Sequence, residues 1–194
     1  DPFLGKGTIT TTEFISGSSD LFLADKLQLI SILYEVFKKH TKTKESFDEF
    51  YFWGEILLAD FNDIDRYLVN AKDLFTNISD LKEIDSVFDY LTAEQKKALE
   101  HFWGSLVLTS KKEFQHKYIS IWNHLYPVYA DFKKSIAHKK LAYAGMLDRL
   151  VVENLETENI KFDFKKYIII GLNTLNNCEK TLFTHLQKQL KVTF

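Results

Sequence analysis

The sequence predicts a mainly α fold in which a long helical block interrupts a sheet-based scaffold with a few short parallel strands. Three observations carry that expectation. Only 7 Gly and 2 Pro occur among 194 residues, too few for a protein built on many tight turns. Through most of the chain, apolar side chains recur at steps of three and four, the period of a helix face. Near the C-terminus, Tyr167-Ile168-Ile169-Ile170 forms instead a continuous β-branched and aromatic run closed by Gly171, the pattern of a strand buried on both faces of a parallel sheet. With 45% hydrophobic and 15% aromatic side chains, the chain can bury a core for one domain or one and a half.

The first element expected is a short strand over 8–14, where Thr and Ile suit a pleated backbone and Ser16-Gly17-Ser18-Ser19 closes the run. Ser19 or Asp20 can cap a helix that carries Leu23, Leu27, Ile30, Leu33 and Phe37 to about His40. A polar, basic link over 41–45 leads to Ser46 and Glu49, an S-x-x-E capping pattern. The helix that starts there has Phe50, Trp53, Leu57, Phe61, Ile64 and Leu68 on one stripe, with Asp60, Asp63 and Arg66 mainly off it. A break near Asn62 is consistent with competition from Asn and Asp for local backbone hydrogen bonds. Thr92 with Gln95, and Ser110 with Glu113, repeat the capping pattern ahead of two further helical blocks. Pro127 is expected to kink or end the second of these. A helix from His138 to about Leu155 carries Leu141, Ala144, Leu147, Leu150 and Val151. After the 167–170 strand come a helix with Leu182, Leu186 and Leu190 and the opening of one more strand at Val192-Thr193-Phe194. An insertion this long is large for a single crossover connection. Sheet-like segments at both ends suggest a piece cut from something longer, divided as 1–40, 41–158 and 159–194.

Net charge and cysteine usage limit the function classes. A formal charge of −2 provides no global field to attract nucleic acid or anionic membrane, so any DNA contact is local. Cys178 is the only cysteine, which excludes an internal disulfide, a thiolate zinc cage and a CxxC redox pair. No apolar stretch is long enough to span a bilayer and no signal-peptide pattern opens the chain. The expectation is a cytoplasmic protein, which makes the sequon Asn77-Ile78-Ser79 a chance match.

The usual catalytic patterns are missing. Leu4-Gly5-Lys6-Gly7-Thr8 lacks the upstream glycine of a phosphate-binding loop and precedes a strand rather than a helix. Asp60, Asp63 and Asp65 lack the alternation and central glycine of a calcium loop; on a helix only Asp60 and Asp63 share a face, and the group reads as a solvated face with a capping role. None of His40, His101, His116, His124, His138 and His185 forms a metal spacing. Cys178 has no local partner signature for nucleophilic chemistry. Trp53, Trp103 and Trp122 fall on apolar helix faces and read as core rather than as base-stacking platforms. No cofactor is implied.

Three segments together resemble a family. Thr10-Thr11-Thr12-Glu13-Phe14-Ile15 resembles the region around motif Ia in AddB-type subunits of bacterial helicase-nucleases. The block Phe52-Trp53-Gly54-Glu55-Ile56-Leu57-Leu58-Ala59-Asp60-Phe61-Asn62-Asp63-Ile64-Asp65 looks like the helical insertion, domain 1B, of the superfamily I helicase lineage, and Tyr143-Ala144-Gly145-Met146-Leu147-Asp148-Arg149 is similar to the end of that insertion. Active helicases of this lineage hold magnesium with an Asp-Glu pair after a buried strand, and AddB-type subunits show the degenerate form Asp-Gly-Phe-Thr-Asp-Phe-Thr-Pro-Gln-Glu. The matching run here is Ile170-Gly171-Leu172-Asn173-Thr174-Leu175-Asn176-Asn177-Cys178-Glu179. Gly171 and Glu179 match, Asn173 departs, and Ile170 occupies the place of the metal-binding acid.

The resemblance implies an inactivated helicase: a helical bundle inserted into the remnant of a RecA-like α/β sheet, serving as a scaffold in DNA end processing and double-strand break repair. Catalytic residues are then absent from this fragment, and proteins of this type often carry a PD-(D/E)XK nuclease domain further along the chain. Implied partners are DNA, bound weakly and without sequence preference, and an active helicase-nuclease subunit. Candidate DNA contacts are Lys111, Lys112, Lys117, Lys133, Lys134, Lys139 and Lys140, provided that they concentrate on one face. The alternative reading is a helical protein-protein interaction module with no role on DNA, favoured by the acidic balance and the many aromatics.

Overall fold

A computed structural model describes residues 15, 19–77, 111–155, 166–168, 174–189 and 191–193, of which 76–77, 111–120, 166–167, 189 and 191–193 are described in their backbone alone. The expected strand over 8–14, the helical block after Thr92, and Ile170, Gly171 and Asn173 lie outside the described residues. The chain forms two compact units, one made of Asp1–Asp25, Asp60–Val69 and Ile136–Phe194, the other of Lys26–Ala59 and Asn70–Ser135.

The second unit is helical. Helix α1 (Lys26–Thr41) buries Leu29, Ile30, Leu33, Tyr34, Val36 and Phe37 along one side and ends in Lys38, Lys39 and His40, cations that suit the negative end of the helix dipole. It stops where Lys42 turns left-handed at φ 53 and its N–H donates to the Lys38 carbonyl at 2.9 Å, a cap more often built on glycine. The helix begins later than its apolar spacing suggests, because Leu23 belongs to a strand described below.

Helix α2 (Phe47–Arg66) opens with the expected capping box: Ser46 N–H donates to Glu49 Oε2 at 2.8 Å and Glu49 N–H to Ser46 Oγ at 3.4 Å. Its buried stripe follows Phe50, Gly54, Leu58 and Phe61, steps of four and three. Phe50 centres an aromatic cluster, 5.3 Å from the Tyr34 ring and 5.0 Å from Phe37. Gly54 has a local reason: a Cβ there would lie 2.5 Å from Ile30 Cγ2 and 2.9 Å from Phe50 Cε1. The expected break near Asn62 does not occur, since Asn62 Oδ1 accepts from the Gly145 N–H at 2.8 Å and so leaves the backbone ladder undisturbed.

Helix α3 (Ala71–Asn77) is capped by Asn70, whose Oδ1 accepts from the Lys72 and Asp73 N–H groups. Helix α4 (Lys111–His138) continues through Pro127 rather than ending there. Leu125, Val128, Tyr129 and Phe132 are buried on both sides of the proline, and that packing outweighs its cost of about 3 kcal/mol to a helix. Phe75 packs edge-on against Trp122 at 5.7 Å, and Trp122, like Trp53, is part-buried rather than within the core.

In the first unit, strand β1 (Phe22–Leu23) pairs in parallel with β2 (Leu141–Ala142). Phe22 N–H donates to the Lys140 carbonyl at 2.8 Å and Ala24 N–H to the Ala142 carbonyl at 3.0 Å. Leu23 and Leu141 therefore leave the helices to which their spacing assigned them. Helix α5 (Ala144–Asn154) follows, burying Met146, Leu147, Asp148 and Val151. Strand β3 (Lys166–Ile168), helix α6 (Asn177–Gln189) and strand β4 (Lys191–Thr193) form the expected strand-helix-strand unit, with β3 and β4 parallel and Tyr167 opposite Val192. Ile168 is 55% exposed, so this end of β3 is not covered on both faces as its apolar run suggested. The described residues are thus mainly helical with short parallel strands.

Candidate functional site

Among the described residues, the densest polar chemistry lies in the first unit, where the end of α2 meets the starts of α5 and α6. The α2 stripe, continued four residues beyond Phe61, places Asp65 inward, and its side chain is fully buried. Asp60 and Asp63, which share a helix face, are exposed, whereas Asp65 departs from the solvated role expected of the acidic group. A buried carboxylate needs partners, because leaving it unpaired costs several kcal/mol, on the order of 3–5.

Tyr143, which precedes α5, donates its hydroxyl to Asp65 Oδ2. Arg149, two turns further along α5, places Nη1 3.3 Å from Asp65 Oδ1 and 2.9 Å from the Val69 carbonyl, while its Nε donates to Glu153 at 2.7 Å. Beside this set, Arg66 Nε donates to Asp148 Oδ2 at 3.1 Å. Burial lifts the Asp148 carboxyl above the ordinary range, and the Arg66 charge and hydrogen bond oppose that rise.

The backbone end of α2 is closed by the same neighbours. Leu68, left-handed at φ 56, lets Val69 N–H reach the Ile64 carbonyl at 2.9 Å and Leu68 N–H the Asp65 carbonyl at 3.0 Å, a Schellman ending with leucine where glycine is usual. Cys178 Sγ donates to the Asp65 carbonyl at 3.4 Å, and Asn177 Nδ2 to the Tyr67 carbonyl at 2.7 Å. The partially negative end of α2 therefore receives the Arg149 guanidinium and two side-chain donors from the first turn of α6.

Glu179 has a local task. Its Oε2 accepts from Asn176 N–H at 3.0 Å while its own N–H donates to Asn176 Oδ1 at 2.9 Å, a reciprocal cap on α6. Cys178 is buried, and burial pushes its thiol up to about 12, so it is protonated at neutral pH and is no nucleophile. Asp65 and Cys178 are buried and bonded and Asp148 is buried beside Arg66, so the centre of this cluster has the chemistry of a closed joint. Among the described residues, no group of three His, Cys, Asp or Glu could hold a metal ion, and no helix is long and apolar enough to cross a membrane.

The candidate DNA contacts are placed only in part. Lys111, Lys112 and Lys117 lie in the first third of α4, where the backbone alone is described. Lys133 Nζ sits 3.1 Å from the Tyr129 hydroxyl and over its ring, and Lys134 is exposed. Lys139 and Lys140 are exposed in the turn before β2. Sequence reasoning missed the joint at Asp65, Tyr143, Asp148 and Arg149. The one signal available was an acid in phase with Phe61 on an otherwise apolar stripe.

Comparison of the chain with protein-family models, with curated proteins and with solved structures finds no match.

Proposed function

We propose that this chain is a non-catalytic scaffold piece of an inactivated, superfamily I helicase-like protein that handles DNA ends in double-strand break repair and recombination. The observation that favours this reading is the joint itself. Of the segments that carry the resemblance, Phe52 to Asp65, Tyr143 to Arg149 and Ile170 to Glu179 supply most of its residues: Asn62 and Asp65, then Tyr143, Gly145, Asp148 and Arg149, then Asn177 and Cys178. Residue types that look like family motifs are explained by what they hold together. In this reading the RecA-like remnant positions the helical insertion, weak DNA contacts act in concert with neighbouring domains, and a catalytic helicase-nuclease subunit and a PD-(D/E)XK nuclease domain elsewhere in the parent supply the chemistry.

Hydrolysis in that lineage depends on an acid at the place of Ile170 and on a phosphate loop with its lysine. Calorimetry with ATP and magnesium is therefore expected to give no heat of binding. Fluorescence anisotropy with a duplex carrying a single-stranded tail is expected to give non-specific, salt-sensitive binding with Kd on the order of 10⁻⁴ to 10⁻⁶ M. A micromolar Kd for ATP, or sequence-specific nanomolar DNA binding that survives salt, overturns the reading. Absence of any DNA binding at low salt turns it toward a protein-interaction module.

A further inference from the structure

The end of α1 and the loop after it read Lys38-Lys39-His40-Thr41-Lys42-Thr43-Lys44, four lysines in seven residues without an acid. Basic runs of this length attract polyanions when the structure holds their charges together. Here it does. The Thr41 hydroxyl donates to the Phe37 carbonyl at 2.9 Å, Thr43 N–H to Thr41 Oγ1 at 3.4 Å, and Glu45 N–H to Thr43 Oγ1 at 3.3 Å, successive side-chain turns that stiffen a loop. The Tyr34 hydroxyl fastens its far end by donating to the Glu45 carbonyl at 2.7 Å.

Exposure alternates along this loop: Lys42 and Lys44 are exposed, while Thr41, Thr43 and Glu45 are partly covered. Lys38 lies over the Tyr34 ring at 5.6 Å. The end of α1 also lies against α4, where Asp131 Oδ2 stands 2.8 Å from His40 Nε2 and 3.5 Å from Lys39 Nζ. One turn beyond Asp131, Lys134 adds an exposed fifth lysine. The run 38–44 itself holds no acid, while Glu35, Glu45, Asp48, Glu49 and Asp131 border it, so positive charge prevails within the run and not around it, on a chain whose net charge is −2.

We propose that Lys38, Lys39, Lys42, Lys44 and Lys134 form the surface on which this chain holds a nucleic-acid phosphate backbone, an assignment that rests on the DNA-handling reading above and gives it a location. Lysines recognise phosphates as point charges and read no sequence. Each contact releases counterions, so the logarithm of affinity falls with the logarithm of salt by ~0.9 per phosphate neutralised on duplex and ~0.7 on single strand.

The test compares two variants of equal net charge by anisotropy with the tailed duplex across a salt series. One replaces Lys38, Lys42, Lys44 and Lys134 with Gln; the other replaces Lys26, Lys72, Lys180 and Lys188, which are exposed elsewhere. The first is expected to bind at least ~10-fold more weakly with a salt slope shallower by ~2 to 4, the second to stay within ~3-fold of the parent chain. A quartet of Lys→Arg replacements at the first set should keep binding and separates loss of charge from loss of fold. Equal weakening by both Gln quartets, or a stronger effect of the second, overturns the placement while leaving DNA binding standing. A parent chain that ignores DNA at low salt overturns both, and tighter binding to phosphatidylserine vesicles than to DNA overturns the assignment to nucleic acid.

Discussion

Arg149→Met is expected to lower folding free energy by about 3–5 kcal/mol, the cost of removing one partner of a buried ion pair. The substitution takes the guanidinium away from Asp65, which is fully buried, and strips the Val69 carbonyl at the end of α2 of its Arg149 donor. Replacing Asp65 with Asn in the same chain removes the stranded charge, so the double variant should recover part of the loss. Urea unfolding followed by far-UV circular dichroism reads both effects as shifts in midpoint. A midpoint for Arg149→Met within the error of the parent would show that the pair carries no weight.

Gly145→Ala is expected to cost about 2 kcal/mol net, even though alanine favours a helix by ~1 kcal/mol. The added Cβ would overlap the Asn62 backbone carbonyl oxygen and lie 3.0 Å from the carbonyl carbon. A backbone group has no rotamer into which it can retreat, so α5 must move away from α2, lengthening the hydrogen bond from Gly145 N–H to Asn62. Gly54→Ala is the comparison: its neighbours are the Ile30 methyl and the Phe50 ring, side chains with some freedom to shift. The loss there should be the smaller, and the reverse order in thermal unfolding would refute this account of Gly145.

What could be read from the sequence was local. The Ser46–Glu49 cap was legible because its partners are three residues apart, and the strand-helix-strand end because β-branched and helical periods differ visibly over short windows. Asp65 was not, because what makes it buried and paired lies 78 and 84 residues away, at Tyr143 and Arg149. Strands β1 and β2 are two residues long, too short to show a period of two, so Leu23 and Leu141 were absorbed into neighbouring helical patterns. Ile168 illustrates the converse error, in which apolar composition was equated with burial. Glu179 matched a motif position, yet its geometry is fully occupied by capping α6 with Asn176.

Whether the joint is closed can be measured through Cys178, the only thiol in the chain, whose sulfur sits on the Asp65 carbonyl. Its rate of reaction with a disulfide-exchange reagent at neutral pH, followed as urea is raised, reports opening at this point. A closed structural joint, with the thiol buried and held at about 12, gives negligible labelling until the chain unfolds, and Arg149→Met should move the onset to lower urea. Labelling in the absence of urea at the rate of a free cysteine would contradict it, and would show these residues to be an open site rather than the fastening between three segments.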